Sequence, residues 1–173
     1  RLAAMDLFAV VAEAELRSVN QIPGNMLIKA GSTLLVRRSG GLDMDVSTHV
    51  AGWIEINSYT IRRFAERDLE HFHSLGLTGP KGVMFHAVWL SDREIGIIAE
   101  TGTKVVHCPV ANSYLGYGIA PISQMLSRGV TVGLGTDGAA SYTYDMLEIG
   151  RTAGMLQKAT KLDAESVTAE QIM

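Results

Sequence analysis

Several features are scarce in this sequence of 173 residues, and each absence excludes a class of protein. There is a single cysteine, Cys108, so no disulfide can form within the chain, and a reducing, cytoplasmic setting is expected. Only 19% of the residues are charged, against 47% that are hydrophobic. This balance excludes an intrinsically disordered chain, which would be rich in charge and poor in apolar residues.

An excess of positive charge is also missing. The 15 Lys and Arg residues face 18 Asp and Glu residues, which gives a formal net charge of -3. Nucleic acid is therefore not an expected partner, because there is no basic excess to neutralise phosphates. No apolar run approaches the roughly 20 residues of a membrane-spanning helix. Asp6 and Glu13 interrupt the first apolar stretch, which therefore lacks the pattern of a signal peptide.

From about residue 40 onward, segments with strand-like and helix-like patterns alternate. Strands are predicted at 42–48, 82–90, 103–107 and 130–135, and helices at 58–75, 91–99, 119–128 and 145–158. Because parallel strands need crossover connections, this alternation predicts an α/β fold of about four βα units. Residues 1–40 form a separate predicted segment with helices at 2–16 and 25–38, and Thr168 begins a further helix.

Side chains that can bind a metal or transfer a proton occur at or near the ends of all four predicted strands. The first strand is followed by His49, the second contains His86, the third ends at His107, and Asp137 follows the fourth. In parallel α/β sheets and barrels, ligands and catalytic groups gather at the carboxyl ends of the strands. Imidazole and carboxylate groups are ligands of zinc and iron. The pattern therefore predicts a metal site at this end of the sheet.

Other polar groups are interpreted as structural. His71 and His73 lie two residues apart in a predicted helix, so they point to different sides and do not share a ligand. A solvated helix face is the interpretation for the neighbouring charged residues, which are Glu66, Arg67, Asp68 and Glu70. Cys108 is expected to be a small buried residue. The methionines are expected to fill the core; they include Met5, Met44, Met84, Met125, Met146 and Met155.

A glycine-rich turn offers a competing interpretation. Gly133-x-Gly135-x-x-Gly138 partly matches a dinucleotide-binding fingerprint, which would make the chain a phosphate- or nucleotide-binding module. The match is weak, because an aspartate lies within the turn and no acidic partner for a ribose is evident.

Three motifs carry a resemblance to a known family. They are His86-Ala-Val-Trp-Leu-Ser, His107-Cys-Pro-Val-Ala-Asn112 and Gly133-Leu-Gly-Thr-Asp137-Gly. Together they resemble the amidohydrolase superfamily, and within it the branch of triazine hydrolases and of guanine, cytosine and adenosine-derivative deaminases. The resemblance implies a (β/α)8 TIM-type barrel, of which residues 41–173 would supply the second half, strands 5–8.

The resemblance also implies roles for individual residues. His49 matches a metal ligand, and Asp137 matches a residue that binds the metal and acts as general base. His86 matches the histidine that polarises the substrate or activates the water, and His107 and Asn112 match residues on the substrate side of the pocket. The implied activity is metal-dependent hydrolysis of a C–N or C–halogen bond in a small nitrogen heterocycle, with zinc, or alternatively iron, as the one metal ion.

The chain departs from the family pattern in two places. The His-x-His pair of the first barrel strand is not found, and 173 residues fall short of the roughly 250 of a complete barrel. Where the family has His-x-x-Glu, this sequence reads His49-Val-Ala-Gly52, and Glu55 is the nearest carboxylate that could replace the proton-shuttling glutamate. These departures keep open the alternative of a non-catalytic fragment or degenerate homologue.

Two further expectations concern binding. A half-barrel exposes sheet edges and apolar strand faces, so association into a homo-oligomer is expected. Four aromatic residues near strand ends could stack on a planar substrate ring or serve in packing; they are Trp53, Trp89, Tyr114 and Tyr117.

Overall fold

The computed structural model of this chain describes residues 46–138 and 141–172. They form a parallel sheet with the strand order β1–β2–β3–β4, in which every strand pairs with the next one along the chain. The strands are β1 (Val46–Val50), β2 (Gly82–His86), β3 (Lys104–His107) and β4 (Val132–Leu134). This topology confirms the predicted α/β fold of successive βα units. The helices predicted at 2–16 and 25–38 lie outside the described residues.

Helices connect the strands and cover one face of the sheet. They are α1 (Ile54–Phe64), α2 (Asp68–Ser74), α3 (Asp92–Thr101), α4 (Pro109–Tyr114), α5 (Ile122–Ser127), α6 (Met146–Lys161) and α7 (Ala169–Ile172). Within the described ranges, none of them is both long and apolar enough to cross a membrane.

The single helix predicted at 58–75 is wrong, because the chain forms two helices there. Ala65 adopts a left-handed conformation with φ 58° and donates its N–H to the Ile61 carbonyl, which ends α1. The predicted start of α3 is confirmed. The Ser91 N–H donates to the Glu94 carboxylate at 2.7 Å, and the Ser91 hydroxyl accepts the Glu94 N–H at 3.3 Å. The two bonds form a capping box.

The core lies between the sheet and the helices. Its strand residues alternate along the chain, as expected where one sheet face is covered, and are joined by apolar residues of α2, α3 and α5. The most deeply buried are Val50, Leu69, Met84, Ile95, Ile98, Val105 and Met125. The core role predicted for the methionines is confirmed for Met84 and Met125. It is wrong for Met146 and Met155, which are exposed on α6, and Met5 and Met44 lie outside the described residues.

Candidate active site

Three of the predicted site residues come together at the carboxyl ends of the strands. His49 Nε2 lies 4.0 Å from Asp137 Oδ1, and His86 Nε2 lies 3.8 Å from Asp137 Oδ2. One ligand atom from each residue falls within 4.8 Å of the other two. In the part of the chain that the structure describes, this is the one cluster of three or more His, Cys, Asp or Glu residues with that spacing.

The curvature of the sheet brings these residues together. β1 and β4 lie at opposite edges of the described sheet, and three strand spacings would separate them by about 14 Å if the sheet were flat. His49 and Asp137 nevertheless approach to 4.0 Å. The sheet therefore curls toward the geometry of a barrel, and its carboxyl ends converge on one point.

The backbone around the cluster adopts left-handed conformations at residues other than glycine. The φ angles are 45° at Ala51, 69° at His86 and 57° at Asp137. Such conformations are uncommon for residues with a Cβ and persist where the surrounding structure enforces them, often at functional sites.

Burial and neighbouring groups distinguish the two histidines of the cluster. The His86 side chain is 4% exposed, whereas that of His49 is 67% exposed. Burial lowers the pKa of His86; the hydrogen bond to Asn112 and the charge of Asp137 oppose this effect, and His49 adds to it. The net effect holds the pKa of His86 below its ordinary value. The two rings stack with their centroids 4.9 Å apart.

The geometry and chemistry of the cluster fit a divalent metal ion. Zinc bonds to nitrogen and oxygen ligands at about 2.0–2.2 Å, so two ligands of one ion lie at most about 4.4 Å apart. Two separations satisfy this limit: 4.0 Å from His49 Nε2 to Asp137 Oδ1, and 3.8 Å from His86 Nε2 to Asp137 Oδ2. Two imidazoles and one carboxylate form a donor set that suits zinc or iron.

His107 and Asn112 are both fully buried. The Asn112 side chain bonds to His86 Nδ1 at 2.8 Å, whereas neither ring nitrogen of His107 has a hydrogen-bond partner among the described residues. Burial lowers the pKa of His107 to about 4. Together with Leu134 of β4 and Gln157 of α6, His107 borders a cavity of about 320 Å³.

Glu55 makes no direct bond to the cluster among the described residues. Glu55 is exposed in the first turn of α1, and among the described residues no hydrogen bond or ion pair joins its carboxylate to His49, His86 or Asp137. Gly52, in contrast, is buried directly against His86. A Cβ at position 52 would meet the Cβ, Cγ and Cδ2 atoms of His86 at 3.6 Å, so a side chain there would lie on the imidazole.

The solvated face predicted for residues 66–70 is wrong for Asp68, which is buried. Its Oδ2 accepts the Ala51 N–H at 2.7 Å, directly after the strand that carries His49. Next to it, Arg67 Nε donates to the fully buried Glu94 carboxylate at 2.7 Å. The charged residues of this segment suggested a solvent-exposed helix face. The packing of α2 against α3 shows instead that Asp68 and Glu94 are buried.

The other polar residues considered in the sequence analysis lie outside the cluster and contact groups of the fold. Cys108 is buried, and burial, followed by the charge of Asp137, raises the pKa of its thiol to about 12. His71 Nδ1 lies 2.9 Å from Glu66 Oε2, and His73 Nδ1 lies 2.7 Å from Thr78 Oγ1. Neither histidine belongs to the cluster, as predicted.

Close packing explains Gly135, the central glycine of the glycine-rich turn. A Cβ at Gly135 would lie 2.7 Å from Val106 Cγ1 and 3.2 Å from Cys108 Sγ. A side chain at position 135 would therefore force β4 away from β3. The glycine has a structural reason that requires no bound phosphate.

Aromatic residues lie along one side of the cluster. The Tyr117 ring meets His86 edge-on at 5.7 Å, and the half-exposed Trp53 lies 5.6 Å from Tyr117. Trp89 packs through a hydrogen bond from Nε1 to the Tyr117 carbonyl at 2.7 Å. Tyr114 is largely exposed.

Comparison with known proteins agrees with this geometry. A family model described as "Amidohydrolase family" matches residues 37–173. This chain belongs to the amidohydrolase family. The resemblance found in the three sequence motifs is thereby confirmed, and the fold is that of a partial amidohydrolase barrel.

Relatives within the family are deaminases of adenosine derivatives. The chain is 37% identical over 129 residues to the 5'-deoxyadenosine deaminase of Methanopyrus kandleri, covering 74% of this chain and 30% of the relative. It is 36% identical over 133 residues to the 5-methylthioadenosine/S-adenosylhomocysteine deaminase of Nitratidesulfovibrio vulgaris, covering 76% and 30%. The chain thus spans about 30% of the length of these relatives.

A solved structure shows the same relationship. The adenosine deaminase of Xanthomonas campestris, crystallised with bound zinc, superposes with a TM-score of 0.73 at 33% identity, covering 76% of this chain and 30% of that chain. The zinc in this relative and the clustered ligands of this chain together support a metal at the candidate site.

Proposed function

We propose that this amidohydrolase is a metal-dependent deaminase of a nitrogen heterocycle and that the chain contributes His49, His86 and Asp137 to its active site. The observation that carries the proposal is the approach of two imidazoles and one carboxylate to within 4.8 Å at the ends of three different strands. These residues are far apart in the sequence, and their side chains meet only in the folded chain.

The proposed substrate class is an adenosine derivative that carries an amino group on its purine ring. Support comes from the deaminases of 5'-deoxyadenosine and of methylthioadenosine and S-adenosylhomocysteine, whose sequences align with most of this chain. The half-exposed Trp53 ring, beside Tyr117, offers an aromatic surface on which a flat heterocycle can stack.

In the proposed reaction, a water oxygen bonds to the ring carbon that carries the amino group, and the bond from that carbon to the amino nitrogen breaks. A bound metal supplies Lewis-acid polarisation and lowers the pKa of water. Asp137 accepts a proton from the water at a carboxylate oxygen and returns it to the departing nitrogen, which leaves as ammonia. His86 lies against Asp137, where its Nε2 would serve as a third ligand of the metal.

Zinc is the proposed metal, with His49 and Asp137 as ligands and His86 as a third. Catalytic zinc sites commonly use three protein ligands and keep one position open, and the cluster supplies that number. We further propose that residues 41–173 form the second half of the barrel, that the chain associates with a second copy and that it resides in the cytoplasm.

The first test is the zinc content of the purified chain after dialysis against a weak chelator. The expected result is about one zinc per chain, bound through three protein ligands, and its loss in Asp137→Asn. Asp145→Asn is the matched control, because Asp145 is an exposed helix cap whose carboxylate accepts the Leu147 N–H.

The second measurement is ammonia release from 5'-deoxyadenosine. Zinc retained in Asp137→Asn would contradict the proposed ligand set. Zinc bound at the site without ammonia release from adenosine derivatives would favour the alternative, a degenerate homologue that keeps the scaffold without the activity.

A further inference from the structure

We infer that Asn112 is a positioning residue that fixes the tautomer of His86, with the proton on Nδ1 and a lone pair on Nε2. The inference rests on the proposed function and deepens it, because it assigns which nitrogen His86 presents to the cluster. It also gives Asn112 a role that differs from direct contact with substrate.

The hydrogen bond between the two side chains carries the inference. Asn112 Oδ1 lies 2.8 Å from His86 Nδ1, and both residues are buried. A neutral imidazole has one proton, and a carbonyl oxygen can only accept. The Nδ1–H therefore donates to Oδ1, and Nε2 keeps its lone pair. Nε2 is the atom that faces Asp137 Oδ2 at 3.8 Å.

The backbone holds Asn112 firmly in this place. Its N–H donates to the Cys108 carbonyl at 2.9 Å, so the residue is fixed in α4 directly after β3. Its own carbonyl accepts the Tyr117 N–H at 2.8 Å, and the Tyr117 ring packs edge-on against His86. One residue thus positions His86 through its side chain and positions the aromatic neighbour of His86 through its backbone.

The tautomer limits what His86 can do. With a lone pair on Nε2, the neutral imidazole can bind a cation or accept a proton, but it cannot donate a hydrogen bond toward the cluster. Any polarisation of the substrate by His86 then requires that Nε2 first gain a proton. Because Asn112 is fully buried, it influences the reaction through His86.

The test measures the tautomer in the metal-free chain by NMR with ¹⁵N-labelled histidine at pH 8. The His86 signals are identified by their disappearance in His86→Gln. We expect the ¹⁵N chemical shift of Nδ1 to be that of a protonated ring nitrogen and the shift of Nε2 to be that of an unprotonated one. Asn112→Asp retains an acceptor for Nδ1–H and removes the amide nitrogen, which has no partner among the described residues. This variant should keep the tautomer.

Asn112→Leu removes the acceptor and should shift the proton toward Nε2. Zinc affinity should fall about 10- to 100-fold, as is typical when the partner of a metal-binding histidine is lost. Asn57→Leu is the matched control. Asn57 is also a buried asparagine, but its side chain bonds to the Trp89 carbonyl and the Asp68 N–H, so the tautomer of His86 should not change.

Two results would overturn the inference: a proton on Nε2 in the wild-type chain, or an unchanged tautomer in Asn112→Leu. If Asn112→Leu does not fold, the wild-type and Asn112→Asp spectra decide the question. A chain with Nδ1 protonated that binds no zinc would instead contradict the proposed function while supporting the role of Asn112.

Discussion

The Asp68 carboxylate accepts the Ala51 N–H at 2.7 Å and so joins α2 to the turn that follows His49. The Ala51 carbonyl in turn accepts the N–H groups of Val88 and Trp89 at 3.2 and 2.9 Å. The turn after β1 is therefore held from one side by α2 and from the other by the loop after β2. Through this turn, the strand ends that carry His49 and His86 keep a fixed separation.

Asp68→Ala should lower the free energy of unfolding by about 1–3 kcal/mol, because it leaves the buried Ala51 N–H without a partner. Zinc affinity should fall as well, since the turn after His49 loses its support. Urea denaturation and a zinc titration measure the two effects. Asp163→Ala is the control: Asp163 accepts the Glu165 N–H at 2.8 Å on the surface, and equal losses in both variants would contradict the argument.

Arg67→Met should lower the free energy of unfolding by about 1.5–3 kcal/mol, because the buried Glu94 carboxylate loses a charged hydrogen bond. The carboxylate keeps the bonds from the N–H groups of Ser91 and Leu69. The Glu94 side chain is 0% exposed. The matched control is Arg93→Met, since Arg93 pairs with Glu70 but is 80% exposed. An exposed pair contributes about 0–1 kcal/mol. Similar urea midpoints for the two variants would show that the buried ion pair stabilises the fold no more than the exposed pair does.

His107 should make the fold sensitive to acid between about pH 6.5 and pH 4. Burial lowers the pKa of His107 from 6.5 to about 4, so in this window the unfolded chain binds a proton that the folded chain does not. Stability should therefore fall by about 3 kcal/mol as the pH drops through the window, with no further loss from this group below it.

The variant His107→Leu should remove this part of the pH dependence. Urea denaturation at pH 8, where His107 is neutral in both states, provides the reference for each protein. If the free energy of unfolding falls equally steeply with pH in the wild type and in the variant between pH 6.5 and 4, His107 does not cause the loss of stability.

Gly52→Glu should increase the rate of ammonia release from an adenosine derivative. A side chain at position 52 begins 3.6 Å from the His86 ring, so it places a carboxyl group beside the cluster, where the family has its glutamate. A positioned general acid or base contributes about 10²- to 10⁴-fold. Gly52→Gln is the control of the same shape that cannot transfer a proton, and an equal rate in both variants would rule out a proton-transfer role.

Sequence pattern predicted the four strands and the helices α3, α5 and α6 in the correct order, because each depends on local chemistry, but it missed the short helix α4. The capping box of Ser91 and Glu94, for example, depends on two residues only three positions apart. The helix predicted at 58–75 failed at Ala65, where a left-handed residue breaks the helix without the glycine or proline that usually marks such a position.

At the candidate site, too, local sequence pattern and tertiary contacts determined different features. The sequence determined which residues stand at the strand ends, because the period of strands and helices places His49, His86 and Asp137 at the same end of a parallel sheet. The tertiary structure alone decided that these side chains converge, that Asp68 is buried and that Asn112 bonds to His86. Those relationships depend on the curvature of the sheet and on contacts between residues 17 to 88 positions apart, which no local pattern encodes.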